Sequence, residues 1–135
     1  MRFFVDCVPP TATHQQKRVA KVNGRLRFYE PPRLAAAREL LAVKLEPFCP
    51  AEPFACGVAL AVSWRFPRGR HRAGSWRTTR PDTDNLQKLL KDVMTGLGFW
   101  RDDALVAVER VEKVWADRPG ILVGIEPLPP AWPGP

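Results

Sequence analysis

The stretch Gly57-Val58-Ala59-Leu60-Ala61-Val62-Ser63-Trp64-Arg65-Phe66 alternates large apolar side chains at even positions with small or polar ones at odd positions. A period of two marks a β-strand, because successive strand side chains point to opposite faces. The small odd-numbered residues predict a strand covered on both faces. Downstream, Pro67 to Pro81 read as a loop. Leu86, Leu89, Leu90, Val93, Met94 and Leu97 then fall on one stripe of a helix over about Asn85 to Leu97, with Gly96 and Gly98 marking its end. Residues 104 to 115, rich in Val, predict a long strand, and Gly120 to Glu126 another, with Ile121, Val123 and Ile125 on one face. A turn around Asp117-Arg118-Pro119-Gly120 is expected to join these two as an antiparallel pair.

Upstream, residues 2 to 8 read as a strand ended by Pro9-Pro10. Asn23-Gly24, between Lys17 to Val22 and Arg25 to Tyr29, predicts a hairpin, since Asn-Gly tolerates the positive φ of a type I′ turn. Pro31-Pro32 opens a helix to about Glu46, with Leu34, Ala37, Leu41 and Leu45 on one face and Pro47, Pro50 and Pro53 beyond its end. The expected fold is mixed α/β (α+β): one small domain over residues 1–126, with a mixed sheet of four or five strands and two main helices. The tail 127–135, with five prolines and Trp132, is expected to be extended.

Composition agrees with one domain of 135 residues, 45% hydrophobic. No run approaches the roughly 18 apolar residues of a membrane helix, and Met1 to Asp6 meets a charge too early for a secretory segment, so a cytoplasmic protein without a membrane partner is expected. Cys7, Cys49 and Cys56 show no Cys-x-x-Cys spacing, which argues against disulfides and zinc and for small core residues. The 21 Lys and Arg against 14 Asp and Glu leave a net charge of +7, a weak pointer to a polyanionic partner.

The acids are not spread evenly: Asp82, Asp84, Asp92, Asp102 and Asp103 fall within 22 residues. Asp84 stands where a helix N-cap would, with Gln87 at capping-box spacing, so capping is the plain reading of Asp84. Capping leaves Asp82 and the Asp102-Asp103 pair unexplained. On extended backbone, carboxylates two residues apart project to the same face and can approach one cation, and hard oxygen ligands suit Mg²⁺ or Mn²⁺. Asp103 joins them only if the following strand returns beside the Asp82 segment; otherwise Asp102-Asp103 is a polar turn. Lys88, four residues after Asp84, shares its helix face; it is either an ion-pair partner of Asp84 or Asp92 or a group that stabilises charge on a phosphate.

Just before these acids, Arg65, Arg68, Arg70, Arg72, Arg77 and Arg80 lie in sixteen residues with His71 and Trp76 and no acid. Arginine forks bind phosphate oxygens and a loop Trp can stack on an unpaired base, so this segment is a candidate DNA contact, with a solubilising loop as the plain alternative. No Gly-x-Ser-x-Gly, P-loop or Gly-x-Gly-x-x-Gly is present.

Arg80-Pro81-Asp82-Thr83-Asp84-Asn85-Leu86-Gln87-Lys88, with Asp92 and then Gly98-Phe99-Trp100-Arg101-Asp102-Asp103, closely resembles the RusA family of Holliday-junction resolvases. Lys113, in Val111-Glu112-Lys113-Val114, resembles the family's strand lysine, and Phe3-Phe4-Val5 before Pro9-Pro10 resembles its first strand more loosely. The resemblance implies a homodimeric, Mg²⁺- or Mn²⁺-dependent endonuclease that nicks two opposed strands of branched, four-way DNA in recombination and repair. It implies Asp82, Asp84 and Asp103 as catalytic metal ligands and Lys88 as the essential lysine, with Asp102, Asp92 and Lys113 supporting. A dimer contact would come from the apolar face of residues 104 to 115 or of the helix 32 to 46. Two rival readings are a non-catalytic nucleic-acid-binding module, which would bind DNA without metal-dependent nicking, and a metal-dependent phosphohydrolase of a small ester.

Overall fold

A computed structural model of the chain describes residues 1–13, 18–22, 24–29 and 31–135. The strands are β1 (Arg2–Val5), β2 (Arg18–Val22), β3 (Arg25–Tyr29), β4 (Val58–Pro67), β5 (Val106–Ala116) and β6 (Gly120–Pro127), and the main helices are α1 (Pro32–Leu45) and α2 (Thr83–Leu97). β2 and β3 form the expected hairpin, from Arg18 opposite Tyr29 to Val22 opposite Arg25, as a separate two-stranded sheet. Asn23 of its turn lies outside the described residues.

The main sheet has the order β1-β6-β4-β5, with β4 the alternating strand that the sequence singles out. Its even residues Val58, Leu60, Val62, Trp64 and Phe66 are all buried. They form one core with Leu34, Leu41 and Leu45 of α1, Leu86, Leu89, Leu90 and Met94 of α2, and Ile121, Val123 and Ile125 of β6. The α1 face is the one its heptad-like spacing indicates, and α2 ends at Gly98 in a left-handed conformation (φ 91°) that glycine adopts without penalty.

β4 is not covered on both faces: Ala61 is exposed on the odd face, because the core that closes the sheet gathers on the even face alone. β5 and β6 are not a paired hairpin either. β4 lies between them, parallel to β5 (Ala59 opposite Val108 through Pro67 opposite Ala116) and antiparallel to β6 (Val58 opposite Pro127 through Arg65 opposite Gly120). The physical reason is the crossover: α2 carries the chain from the end of β4 back to its start, so β5 must run parallel beside it. Asp117 to Pro119 then step past the end of β4, a span of two strand spacings, about 10 Å, that a short turn reaches.

Element ends also shift. β1 stops at Val5 rather than residue 8, and residues 103–105 form a 3₁₀ turn before β5. All three cysteines are free; Cys7 and Cys49 pack against the core, but Cys56 is exposed and is not a core residue.

Candidate active site around helix α2

Helix α2 begins at Thr83, with Asp82 in the N-cap position on extended backbone (φ −75°, ψ 149°) and Leu86 N–H bonded to its carbonyl at 3.1 Å. Asp84 therefore sits in the first turn and is not the cap, and Gln87 completes no capping box. Gln87 is buried instead: it accepts from the Trp64 indole Nε1 at 2.7 Å and donates to Glu109 Oε1 at 2.9 Å, while Lys91 donates to Glu109 Oε2 at 2.9 Å. A buried indole N–H without an acceptor would cost about 1–3 kcal/mol, so the core recruits the Gln87 amide. This chain of bonds fixes α2 against β4 and β5.

With no cap bond of its own, the Asp82 carboxylate is exposed, as is that of Asp84; neither is hydrogen-bonded or ion-paired among the described residues. The backbone that presents them is held firmly. Residues 75–77 run beside the edge of β5, with Trp76 opposite Val114 and Arg77 N–H bonded to Lys113 O at 2.9 Å. Lys113 Nζ donates to Thr79 O at 2.8 Å and to Pro81 O at 2.6 Å. Burial, and then the Arg77 charge, push the Lys113 ammonium below the ordinary lysine pKa, with Asp82 acting in the opposite sense. The Arg77 guanidinium lies over Phe66 at 4.2 Å and Trp115 at 4.7 Å and bonds Thr79 Oγ1 and Arg80 O. Lys113 and Arg77 thus brace the segment that delivers Asp82.

Past the far end of α2 the chain turns through Phe99 to Arg101, pinned to Phe54 by backbone bonds of 2.9 and 3.3 Å. Asp102 caps the 3₁₀ turn by accepting from Ala104 N–H at 2.9 Å, which gives it a structural task. Asp103 Oδ2 comes 4.0 Å from Lys88 Nζ, and Lys88 also pairs with Asp92 at 3.1 Å. Arg38 of α1 reaches Asp92 at 3.7 Å. Lys88, Asp92 and Asp103 are therefore brought together. Among the described residues of one chain, no three His, Cys, Asp or Glu side chains form a group that could hold a cation.

The arginines divide into two sets. Arg68 pairs with Asp117 and Arg77 is built into the loop, whereas Arg70, Arg72 and Arg80 are exposed. Arg65 is half-buried on β4, and its Nε has no partner among the described residues. Trp76 is 64% exposed, and His71 stacks on Trp115 with ring centroids 4.0 Å apart. Sequence reasoning missed Arg38, which only the packing of α1 on α2 brings near Asp92. It also gave no role to Asn85, whose Nδ2 is buried without a partner among the described residues beside Asp84.

Comparison with known proteins places the segment that carries these residues in a family. Residues 8–126 match the family model for endodeoxyribonuclease RusA. Over 115 residues, covering 83% of this chain and 85% of the relative, the sequence is 36% identical to the crossover junction endodeoxyribonuclease rusA of Lactococcus phage r1t. The match takes in both ends of α2, the arginine-bearing loop and the bracing Lys113, and the chain belongs to the RusA endodeoxyribonuclease family.

Proposed function

We propose that this chain resolves four-way DNA junctions as a homodimer, hydrolysing one phosphodiester on each of two opposed strands with Mg²⁺ or Mn²⁺, in recombination and repair. The observation that carries the proposal is the pair Asp82 and Asp84: two carboxylates at one helix start, without a hydrogen bond or ion pair among the described residues, on a braced backbone. This donor set fits Mg²⁺, which takes one or two carboxylates and fills its octahedron with water and substrate phosphate oxygens rather than with a full protein cage. Asp82 and Asp84 would hold the ion; Asp103, which lies beside Lys88 and forms no three-carboxylate group with them among the described residues, is the third ligand that the family resemblance implies. A bound ion supplies Lewis-acid stabilisation of charge on the phosphoryl oxygens.

The other roles belong to the chain's own side chains. Lys88, exposed beside Asp103, offers an ammonium to the charge that builds on the phosphate as its ester bond breaks. Arg70, Arg72 and Arg80 hold flanking phosphates, and Trp76 stacks on a base that the branch point leaves unpaired. Lys113 and Arg77 act at one remove, keeping Asp82 in place.

The deciding experiment is cleavage of a synthetic four-way junction with Mg²⁺ and with EDTA, for the wild type and Asp84→Asn. Paired nicks that vanish with EDTA and in Asp84→Asn, with junction binding retained, support the proposal. Wild-type cleavage by Asp84→Asn overturns it, and salt-dependent binding with no nicking by the wild type establishes a binding module instead.

A further inference from the structure

At the Pro67 end of β4 the open odd face of the sheet carries a cleft of about 410 Å³, within the roughly 300–1,000 Å³ of small-ligand sites. Register sets its floor and one wall. Ser63 and Arg65 of β4 lie opposite Glu112 and Val114 of β5, and Trp76 is opposite Val114 on the far side, so all five residues share this face. Two of these side chains are left with unmet hydrogen-bonding capacity. Ser63 is 8% exposed with an Oγ that has no partner among the described residues, and the Nε of Arg65 is buried in the same condition. Buried polar groups in folded proteins are nearly always paired, so two that line one cleft mark a place where a ligand completes the bonds. Beside them, Trp76 offers a largely exposed aromatic plane.

The chemistry of the lining selects the occupant. On the rim, Asp117 is already paired with Arg68, and the Arg118 guanidinium lies 4.3 Å over the Phe4 ring. Glu112 keeps capacity to accept, since its carboxylate meets Arg110 only at 3.8 Å, beyond hydrogen-bond length. A ligand in the cleft therefore finds donors at Arg65 and Ser63, a carboxylate acceptor at Glu112 and a stacking plane at Trp76. A phosphate suits the arginine but is repelled by the carboxylate, and an apolar side chain leaves all three polar groups unpaired. A flat heterocycle with donors and acceptors on its edge satisfies each of them. Nucleobases are of this kind, and the exposed Arg72 and Arg80, on either side of Trp76 in sequence, supply phosphate contacts for the same strand. Among the bases, the carboxylate discriminates. Adenine, cytosine and guanine carry amino groups that donate to it, whereas thymine presents carbonyl oxygens on both sides of its one N–H, and these repel a carboxylate.

We infer that the cleft of Ser63, Arg65, Trp76 and Glu112 receives one nucleobase taken out of the stack at the branch point. Trp76 stacks on the base, Arg65 and Glu112 read its edge, and an amino-bearing base is preferred to thymine. Unstacking is least costly where the branch point already leaves the base unpaired. The inference rests on the junction-binding reading of the chain and goes beyond it by assigning a base-reading site, on the face of β5 opposite to the Lys113 side chain.

The test is junction binding in EDTA, by fluorescence anisotropy, with one unpaired branch-point nucleotide set to adenine, cytosine, guanine, thymine or an abasic sugar. The wild type is expected to bind the abasic junction about tenfold more weakly than the best amino-bearing one, and the thymine junction about fivefold more weakly. Trp76→Ala should bind the abasic junction as well as the others. Glu112→Gln should keep the abasic penalty and lose the bias against thymine, because its amide donates to a thymine carbonyl. Neither position is fully buried, and circular dichroism checks that both variants are folded. Wild-type affinities that agree across all five junctions overturn the inference, as does a folded Glu112→Gln that keeps the bias against thymine. Base-dependent binding without Mg²⁺-dependent nicking removes the proposed function and leaves the base site standing; nicking with base-independent binding does the reverse.

Discussion

In the middle of α2, Asp92 lies between Lys88 at 3.1 Å and Arg38 at 3.7 Å; two to three turns earlier, Asp82 and Asp84 have no cation within 4.0 Å among the described residues, although the Lys113 charge acts on Asp82. The residue type is the same and the electrostatic settings are opposite. A carboxylate flanked by two cations is neutralised by its own fold, and its contribution is ordinary surface electrostatics. Two carboxylates without a paired cation repel one another, while the helix N-terminus favours each of them by typically 0.3–1 kcal/mol. Lys113 could have paired with Asp82 directly, yet its ammonium is bonded to backbone carbonyls of Thr79 and Pro81 instead. The comparison teaches that in this helix the acids left alone, rather than those gathered by basic residues, are the ones available for a cation.

The sharpest way to break that comparison is the double variant Asp82→Asn/Asp84→Asn. It removes no hydrogen bond or ion pair among the described residues, and the lost helix-terminus attraction offsets the relieved repulsion, so stability should change by less than about 0.5 kcal/mol. Junction cleavage should fall by about 100-fold or more, as expected when groups that hold catalytic charge are removed. Added Mn²⁺ should raise the melting temperature of the wild type and not of the double variant. An equal Mn²⁺ shift in both proteins would put the cation elsewhere.

A second variant, Gln87→Leu, reverses the pattern: a large effect on stability with the carboxylates untouched. It strands the Trp64 indole N–H and removes the bond to Glu109, and about 2–3 kcal/mol should be lost in urea titration. A loss below about 0.5 kcal/mol would mean that α2 is positioned by its leucines alone.

How much of this was legible beforehand differs between the two ends of the helix. The alternation over residues 57–66 and the leucine stripe over 86–97 are local patterns, and they located β4 and α2 to within a few residues. Asp82-x-Asp84 was equally visible, because its spacing is set by adjacent residues. What needed the fold was everything long-range. That β4 separates β5 from β6 follows from the α2 crossover, which no turn signal at 117–120 records. That Arg38 meets Asp92 follows from α1 packing on α2. The capping-box pattern at Asp84 and Gln87 misled for a related reason: the glutamine was claimed by a buried Trp64 indole far away in sequence.

Between the two ends stands Lys113, and Lys113→Met sharpens its role as a positioning residue. The variant keeps the stem's packing and deletes the donors to Thr79 O and Pro81 O, so the segment before Asp82 loosens. Cleavage should fall by about tenfold with stability lowered by ~1 kcal/mol, and Lys113→Arg, which retains donors, should restore part of the rate. If Lys113→Met instead weakens junction binding uniformly and flattens its salt dependence by about one charge, the lysine is a phosphate contact and not a brace.

The smallest effect is expected at the paired acid. Asp92→Asn takes the charge from between Lys88 and Arg38, and because both partners and the aspartate are partly open to solvent, the loss should be about 0.5–1 kcal/mol, shrinking in high salt. The Lys88 ammonium keeps Asp103 within 4.0 Å, so junction cleavage should stay within about threefold of wild type. The Arg38→Ala variant provides the cross-check, since a double-mutant cycle with Asp92→Asn isolates their coupling from the rest of the surface. Should Asp92→Asn abolish cleavage as thoroughly as the Asp82→Asn/Asp84→Asn double variant while the protein remains folded, then pairing with cations does not mark an acid as structural here, and the division between the two ends of α2 fails.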